Sequence, residues 1–329
     1  LDSDAALTPR ALTLSMGTGT VQFNGVVGGT YALGAIGITG NLDLKAAILN
    51  GSSSAGAASI SVSGTSTIGA NVTTSGNQTY TGAVTLTTSN TLTTTSNGTI
   101  SFGSTIDGSA AGKTLTINTN GTGNTSITGA VGSTTALGNT TITTAALTAA
   151  AIKLNGTLSV TNTAASTISG IISDATSGTL VLTKAGSGTL TISADDSYSG
   201  TTTISAGTLQ VSGSGRLGNG SYSGNIAIAN SAILKYSSSS SQTLSGTISG
   251  QGSITKDTDT TSILTLSGNN TYSGGTTVSS GTLKAGSSGI TGPPATGPFG
   301  TASVTVSATN AALDLNGQSI SNLLTLNGT

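Results

Sequence analysis

Histidine, cysteine, tryptophan and glutamate are all missing from the 329 residues, and proline, methionine and the aromatics are scarce, with aromatic residues at 3%. Each absence removes a chemistry. Without cysteine there is no disulfide framework, so an exported form would need stability of another kind, such as a repetitive hydrogen-bonded fold. Without histidine or cysteine neither a Ser-His-Asp triad nor a zinc site of the usual ligands can be assembled. Charged residues make up 6% of the chain and the net charge is -1. The nine basic residues are spread singly, which leaves no run able to neutralise consecutive phosphates and argues against nucleic-acid binding. No apolar run approaches the roughly 20 residues that span a bilayer, and the start at Leu1, with Asp2 and Asp4, is not that of a signal peptide. The expectation is a processed chain with no catalytic set, cofactor or metal.

Serine, threonine and glycine fill about half of the sequence. Disorder is not the reading, because branched aliphatics recur throughout and net charge is low. Internal repetition is plain instead. Leu190 to Leu209 reads LTISADDSYSGTTTISAGTL and Leu264 to Leu283 reads LTLSGNNTYSGGTTVSSGTL, with twelve identities in twenty at an offset of 74. A fragment of the unit recurs as GNQTYTG at Gly76 to Gly82. The shared positions Tyr80, Tyr198, Gly200, Leu209, Tyr272, Gly274 and Leu283 form a structural repeat motif.

Within the unit, apolar residues alternate with polar ones, as in Leu190 and Ile192, Leu209 and Val211, and Leu264 and Leu266, which is a strand period. Glycine, asparagine and serine punctuate these short strands at corners. The anchors Leu190, Leu209, Ile228, Leu244, Leu264, Leu283 and Val304 fall mostly 19 to 21 apart. These features predict an all-β parallel β-helix, or β-solenoid, with coils of about 19 residues stacked about 4.8 Å apart. About 17 coils would form a rod roughly 80 Å long. A β-sandwich array ranks second, since it normally has a larger aromatic core and repeats near 100 residues. The Ala-rich stretch Thr144 to Leu154 is read as coil with small inward residues rather than helix. Pro293, Pro294 and Pro298 mark a surface loop inserted at Gly289 to Gly300, a place where specificity would reside. The expected organisation is a lead segment 1–10, a solenoid part 11–166 and a second, continuous solenoid part 167–329.

Three candidate sites can be weighed from residues alone. Asp195 and Asp196 form the most tempting carboxylate pair for a polysaccharide-acting β-helix enzyme, but their counterparts at the offset of 74 are Asn269 and Asn270. Asparagine cannot serve as a general acid or base, so the pair reads as an Asx corner. Asp257 and Asp259 lack the further carboxylates of a calcium loop and read as a solvated corner. GSGRLG at Gly213 to Gly218 matches a dinucleotide fingerprint in letters only, lacking the helix and acidic residue that the motif requires. The recurrent tyrosines read as stacked structural residues, with an exposed glycan platform as the alternative. The sequons at Asn71, Asn97 and Asn155 are expected by chance in this composition.

KAGSGTLTIS (Lys184 to Ser193), GNNTYSGGTTVSSGTL (Gly268 to Leu283) and LDLNGQSISNLLTLNGT (Leu313 to Thr329) resemble the autotransporter-associated β-strand repeat of type V secretion passengers. The earlier half, including TTSGNQTYTGAVTL (Thr73 to Leu86), is similar to filamentous-haemagglutinin-like adhesin repeats. The resemblance implies a right-handed parallel β-helix exported to the surface of a bacterial cell. It also implies a non-enzymatic structural or adhesive role, as an adhesin passenger or as a filament or surface-layer subunit. Neither end of the chain reads as a polar cap, so head-to-tail self-association is one expected partnership. A host surface, a neighbouring cell or a glycan is the other.

Overall fold

The computed structural model describes residues 1–3, 9–49, 57–176, 178, 180–289 and 296–327. Strands fill both of its compact units, Leu1–Ala165 and Ser166–Thr329. A three-residue 3-10 turn at Gly218–Gly220 is the helical element among the described residues. Among the described residues the strand ladders are parallel, as the stacking of successive coils requires, and an isolated bridge between Asn270 and Gly297 is antiparallel. The all-β parallel solenoid expected from alternation is therefore what forms. The Ala-rich stretch contributes two strands, Leu147–Ala149 and Ile152–Leu154, and no helix.

The first unit has three faces. One stacks Leu12–Phe23, Ala35–Leu44, Ser59–Val62, Gln78–Tyr80, Ile100–Phe102, Thr125–Ile127 and Leu147–Ala149. A second runs from the end of Ala35–Leu44 through Ser66–Ile68 and Val84–Leu86 to Ile106–Gly108. The third stacks Val72–Thr74, Asn90–Thr94, Leu115–Asn118, Thr140–Thr144 and Thr157–Asn162. The second unit repeats this plan. Its longest face climbs from Ser166–Ile168 through Thr189–Ile192, Thr208–Gly213, Ile233–Ser238, Ser253–Lys256, Thr276–Val278 and Val304–Val306 to Leu324–Leu326.

Alternation decides which side of each strand is buried. In Asn90–Thr94, Leu92 faces in and Thr91 and Thr93 face out, and the same parity places Ile117, Ile142 and Val160 in one inward column. Each such aliphatic contributes roughly 1.5–3 kcal/mol through burial, so the parity is enforced at every coil.

The coil is longer than 19 residues. Spacing is about 22, giving about 14 turns for the chain. The individual steps vary: Leu190 stacks on Leu209, Leu209 on Leu234, and Thr276 on Val304. Four of the seven anchors behind the shorter period sit off the face of Leu190, Leu209 and Val304: Ile228 stacks with Ile204, Leu244 with Leu266, and Leu264 with Leu283. The offset of 74 is itself not a whole number of coils. From Leu190 the ladder passes Leu209 and Leu234 to Ile254, and the chain then turns one face onward before reaching Leu264, which stacks on Leu283. The second copy of the repeat thus lies three coils and one face beyond the first.

Residues 1–3 of the lead segment are hydrogen-bonded to the chain. The Leu1 amino group donates to Val26 O, Gly28 N–H donates to Leu1 O, and Ser3 N–H donates to Tyr31 O, so residues 1–3 lie along the chain's own first coil. Its remaining residues up to 8 lie outside the described set, as do Pro293 and Pro294. The described end of the proline-rich insertion is buried rather than a surface loop. Gly297 bridges Asn270 and Phe299 is fully enclosed.

Candidate functional site

Corners carry most of the polar chemistry, because strands leave them backbone groups to satisfy. At the tyrosine corner, Tyr198 hydroxyl meets Thr202 Oγ1 at 2.8 Å and Tyr272 hydroxyl meets Thr276 Oγ1 at 2.6 Å, a Tyr-x-x-x-Thr pairing in both repeat copies. Tyr80 instead donates to Gln78 Oε1 and stacks on Phe102, with ring centroids 5.4 Å apart. All three rings are 0% exposed, so no row of tyrosines faces out to a sugar. Burial raises their phenols well above the usual value. Two residues after Tyr198, Gly200 runs so close to the coil below that a Cβ there would lie 2.0 Å from Leu180 O. Leu209 and Leu283 are buried beneath these corners, stacked on Leu190 and Leu264.

The paired aspartates separate in role. Asp195 lies at the surface and forms a bidentate ion pair with Arg216 of the adjoining coil. Asp196 is fully buried. Its Oδ1 accepts from Ile172 N–H at 2.7 Å and its Oδ2 has no hydrogen-bond partner. The repeat explains the arrangement: Asn270 Oδ1 accepts from Ile248 N–H at 2.7 Å, and Asn270 Nδ2 donates to Pro298 O at 2.7 Å. Each side chain ties two coils together, where a local Asx turn was expected. Burial pushes the Asp196 carboxyl up to about 8, against the lowering effect of the Ile172 amide. A protonated Asp196 is thus the neutral stand-in for Asn270.

Two lysines, which composition alone places on the surface, are enclosed. Lys184 and Lys256 occupy inward positions, in Leu182-Thr183-Lys184 and Ile254-Thr255-Lys256, where an aliphatic would keep the parity. Lys184 Nζ donates to Ala185 O, Gly186 O and Ala206 O at 2.7, 2.8 and 3.1 Å. Lys256 Nζ donates to Asp257 O, Asp259 O and Ser280 O at 3.4, 3.2 and 3.3 Å. Gly207 and Gly281, at positive φ of 66° and 69°, close both corners. A Cβ on either would meet carbonyl oxygens at 2.4 Å. Burial lowers Lys184 to about 8, and it lowers Lys256 against the attraction of Asp259 and Asp257. The KDTDT corner, read as solvated, is therefore organised around an ammonium, with Asp257 also paired to Lys235 at 2.9 Å. The signal that would have found these lysines was the parity of the strand.

Outside, asparagines at corners reach to the next coil. Asn71 Oδ1 accepts from Thr91 N–H at 2.8 Å, Asn77 Oδ1 from Thr99 N–H at 2.8 Å, and Asn139 Oδ1 from Thr157 N–H at 2.9 Å. Asn225 does the same for Thr247 at 3.0 Å. The glycine-rich GSGRLG is a corner whose Arg216 bridges Asp195, and it runs into the three-residue 3-10 turn Gly218–Gly220 and not into the α-helix that the fingerprint requires. A groove of about 330 Å³ between Asn230, Ser231, Gln251 and Ser253 has no titratable lining. Among the described residues no group of three or more acidic side chains could hold a metal ion, and no helix is long and apolar enough to cross a membrane.

Fold and corners together define a parallel β-solenoid repeat protein whose polar side chains mainly tie coil to coil. Residues 182–211 and 261–285 match the model of the passenger-associated-transport-repeat family, bearing out the resemblance read from KAGSGTLTIS and GNNTYSGGTTVSSGTL. The matched stretches contain both tyrosine corners, Lys184, and the glycines that cover both lysines. No curated protein and no solved structure matches the chain.

Proposed function

We propose that this chain is a non-enzymatic structural and adhesive solenoid of a bacterial passenger-type surface protein, right-handed in winding and acting outside the cell. The observation that carries the reading is the pair of passenger-associated-transport repeats built into stacked coils. Right-handed winding is the favoured sense for crossovers between parallel strands. A non-catalytic role is supported by the fate of the adjacent carboxylates: Asp195 is held by Arg216, and Asp196 is enclosed against the Ile172 amide. The adhesive role takes one of two forms. The chain is a length of passenger that projects a repetitive surface toward a host cell, a neighbouring cell or a glycan, or it joins head to tail with further copies of itself.

Negative-stain electron microscopy across a concentration series separates the two. Uniform threads that lengthen with concentration establish the head-to-tail form, whereas discrete particles at all concentrations establish the passenger form. Incubation with polysaccharides tests the premise beneath both. No release of sugar ends is expected, and cleavage that vanishes in Asp195→Asn and Asp196→Asn would overturn the reading.

A further inference from the structure

The two lysine corners share a backbone feature and fill it differently. Two residues after Lys184 stands Gly186, at φ 76°, and two residues after Lys256 stands Thr258, also at φ 76°. Glycine takes such a conformation freely, whereas a β-branched residue is strained in it. Asp259 N–H donates to Asp257 O at 3.0 Å, which closes a three-residue turn around Thr258, the γ-turn form that is rare because it is strained. One copy of the corner thus avoids a strain that the other keeps. The preceding residue changes as well, from Ala185 to Asp257.

What the strained corner gains is a set of groups around one peptide bond, Asp257–Thr258. Thr258 Oγ1 donates to Asp257 Oδ1 at 2.8 Å, so the hydroxyl that follows the bond rests on a carboxylate. Ser237 Oγ also donates to Oδ1, and Lys235 Nζ lies 2.9 Å from Oδ2, which fixes that carboxylate in place. The carbonyl oxygen of the same bond accepts from two donors, the Asp259 amide and Lys256 Nζ at 3.4 Å. Lys256 is itself held by Asp259 O and Ser280 O. A hydroxyl beside its base, next to a carbonyl gripped by an amide and an ammonium, is what acyl transfer needs. Thr258 is exposed, so water reaches the corner. At Ala185-Gly186 the hydroxyl and the carboxylate are both missing, although Lys184 Nζ reaches Ala185 O at 2.7 Å.

We propose that the chain cuts its own backbone at Asp257–Thr258 through an N→O acyl shift. Thr258 Oγ1 attacks the Asp257 carbonyl carbon and passes its proton to Asp257 Oδ1. The negative charge that develops on the Asp257 carbonyl oxygen is met by Asp259 N–H and Lys256 Nζ. As the C–N bond breaks, the proton moves from Oδ1 to the Thr258 nitrogen, leaving an α-amine and an ester between Asp257 and Thr258 Oγ1. Water then hydrolyses the ester, which frees the Thr258 hydroxyl and leaves a new α-carboxylate on Asp257. Breaking the bond releases the strained φ and so favours the forward direction. The event occurs once per chain and takes no outside substrate. Both new ends stay in place, since Ser253–Lys256 is paired with Ile233–Ser238 and Thr276–Val278, and Ile263–Leu266 with Gln242–Leu244 and Gly281–Ala285. The product is a nicked solenoid whose pieces part on denaturation.

The test incubates the purified 329-residue chain at neutral pH and follows it by denaturing gel electrophoresis and intact mass. Pieces 1–257 and 258–329 should accumulate at a first-order rate that does not change with chain concentration, the second piece starting at Thr258. Hydroxylamine, which captures esters, should speed the cut and leave a hydroxamate on Asp257. Thr258→Gly restores the residue of the Lys184 corner, keeps the fold and should abolish the cut, whereas Thr258→Ser should still cut. Asp257→Asn, which cannot take the proton, should slow it about a hundredfold. Unaltered circular dichroism establishes that each variant keeps its strands. A wild-type chain that stays whole in hydroxylamine would overturn the proposal. So would a cut that persists in Thr258→Gly, since the attacking group would then be something other than the Thr258 hydroxyl.

Discussion

The two units share a plan and differ in what fills their corners and outer faces. In Leu1–Ala165 the corners are spanned largely by neutral side chains, such as Asn71, Asn77 and Asn139, and the outward positions of the third face carry no charge. In Ser166–Thr329, where both matched repeats lie, corners enclose Lys184, Lys256 and Asp196, and outer faces carry the ion pairs Arg216–Asp195, Lys235–Asp257 and Lys284–Asp314. A solenoid needs only an inward aliphatic column to form. The corner chemistry is free to vary, and with it how stability depends on pH and what the outer surface can meet.

The largest effects should come from the lysine corners, where the second unit differs most from the first. Gly207→Ala forces a Cβ against Gly188 O at 2.4 Å in a conformation that L side chains rarely adopt. A loss of about 3 kcal/mol or more is expected in denaturant unfolding. Lys184→Met keeps the apolar stem but leaves three carbonyl oxygens without their donor, and should cost about 2–4 kcal/mol. Wild-type behaviour in both variants would show that the corner does not need its ammonium.

Asp196→Asn should move stability the other way. The folded carboxyl titrates near 8, far above an unfolded aspartate, so the folded state holds a proton that the unfolded chain releases. Stability from this group is full at acid pH, falls between about pH 4 and 8, and is flat above that. Asparagine copies the tie made by Asn270 and removes the slope, with a gain of about 1–3 kcal/mol at pH 7. Lys184 gives the opposite signature at the alkaline end. Its folded value of about 8 lies below that of a free lysine, so its contribution improves as pH rises from about 8 to about 10.5. Unfolding measured from pH 4 to 10 in wild type, Asp196→Asn and Lys184→Met separates the two. An unchanged acid-side slope in Asp196→Asn would place the proton elsewhere.

Much of this was legible in the letters, and the exceptions have physical causes. Alternation in Leu190-Thr191-Ile192 shows a strand whatever the tertiary context. The repeat shows that strands stack. Coil length was not legible, because the three faces are unequal and the second repeat copy lies one face onward, so Ile228 and Leu244 appeared in phase with residues they do not touch. Lys184 and Lys256 were readable from parity but resemble solvent lysines by type. The ties from Asn77 and Asn139 join residues 22 and 18 positions apart, a distance fixed only by the register.

A smaller effect is expected at the surface ion pairs, of which the described residues hold three in the second unit and Lys45–Asp43 in the first. Lys284 and Asp314 are register partners on adjoining coils, 3.5 Å apart, and their side chains are 32% and 44% exposed. Water screens such a pair, and the lysine loses rotamer freedom to hold it. A double-mutant cycle with Lys284→Ala and Asp314→Ala should yield a coupling of about 0.5 kcal/mol, fading in high salt. Asn77→Ala in the first unit removes a neutral tie and leaves the Thr99 amide to water, at a cost of about 1 kcal/mol with no salt dependence. If the ion pair proves the stronger of the two, charge and not amide bonding holds the coils together at their margins, and the second unit should then lose more stability than the first as salt is raised.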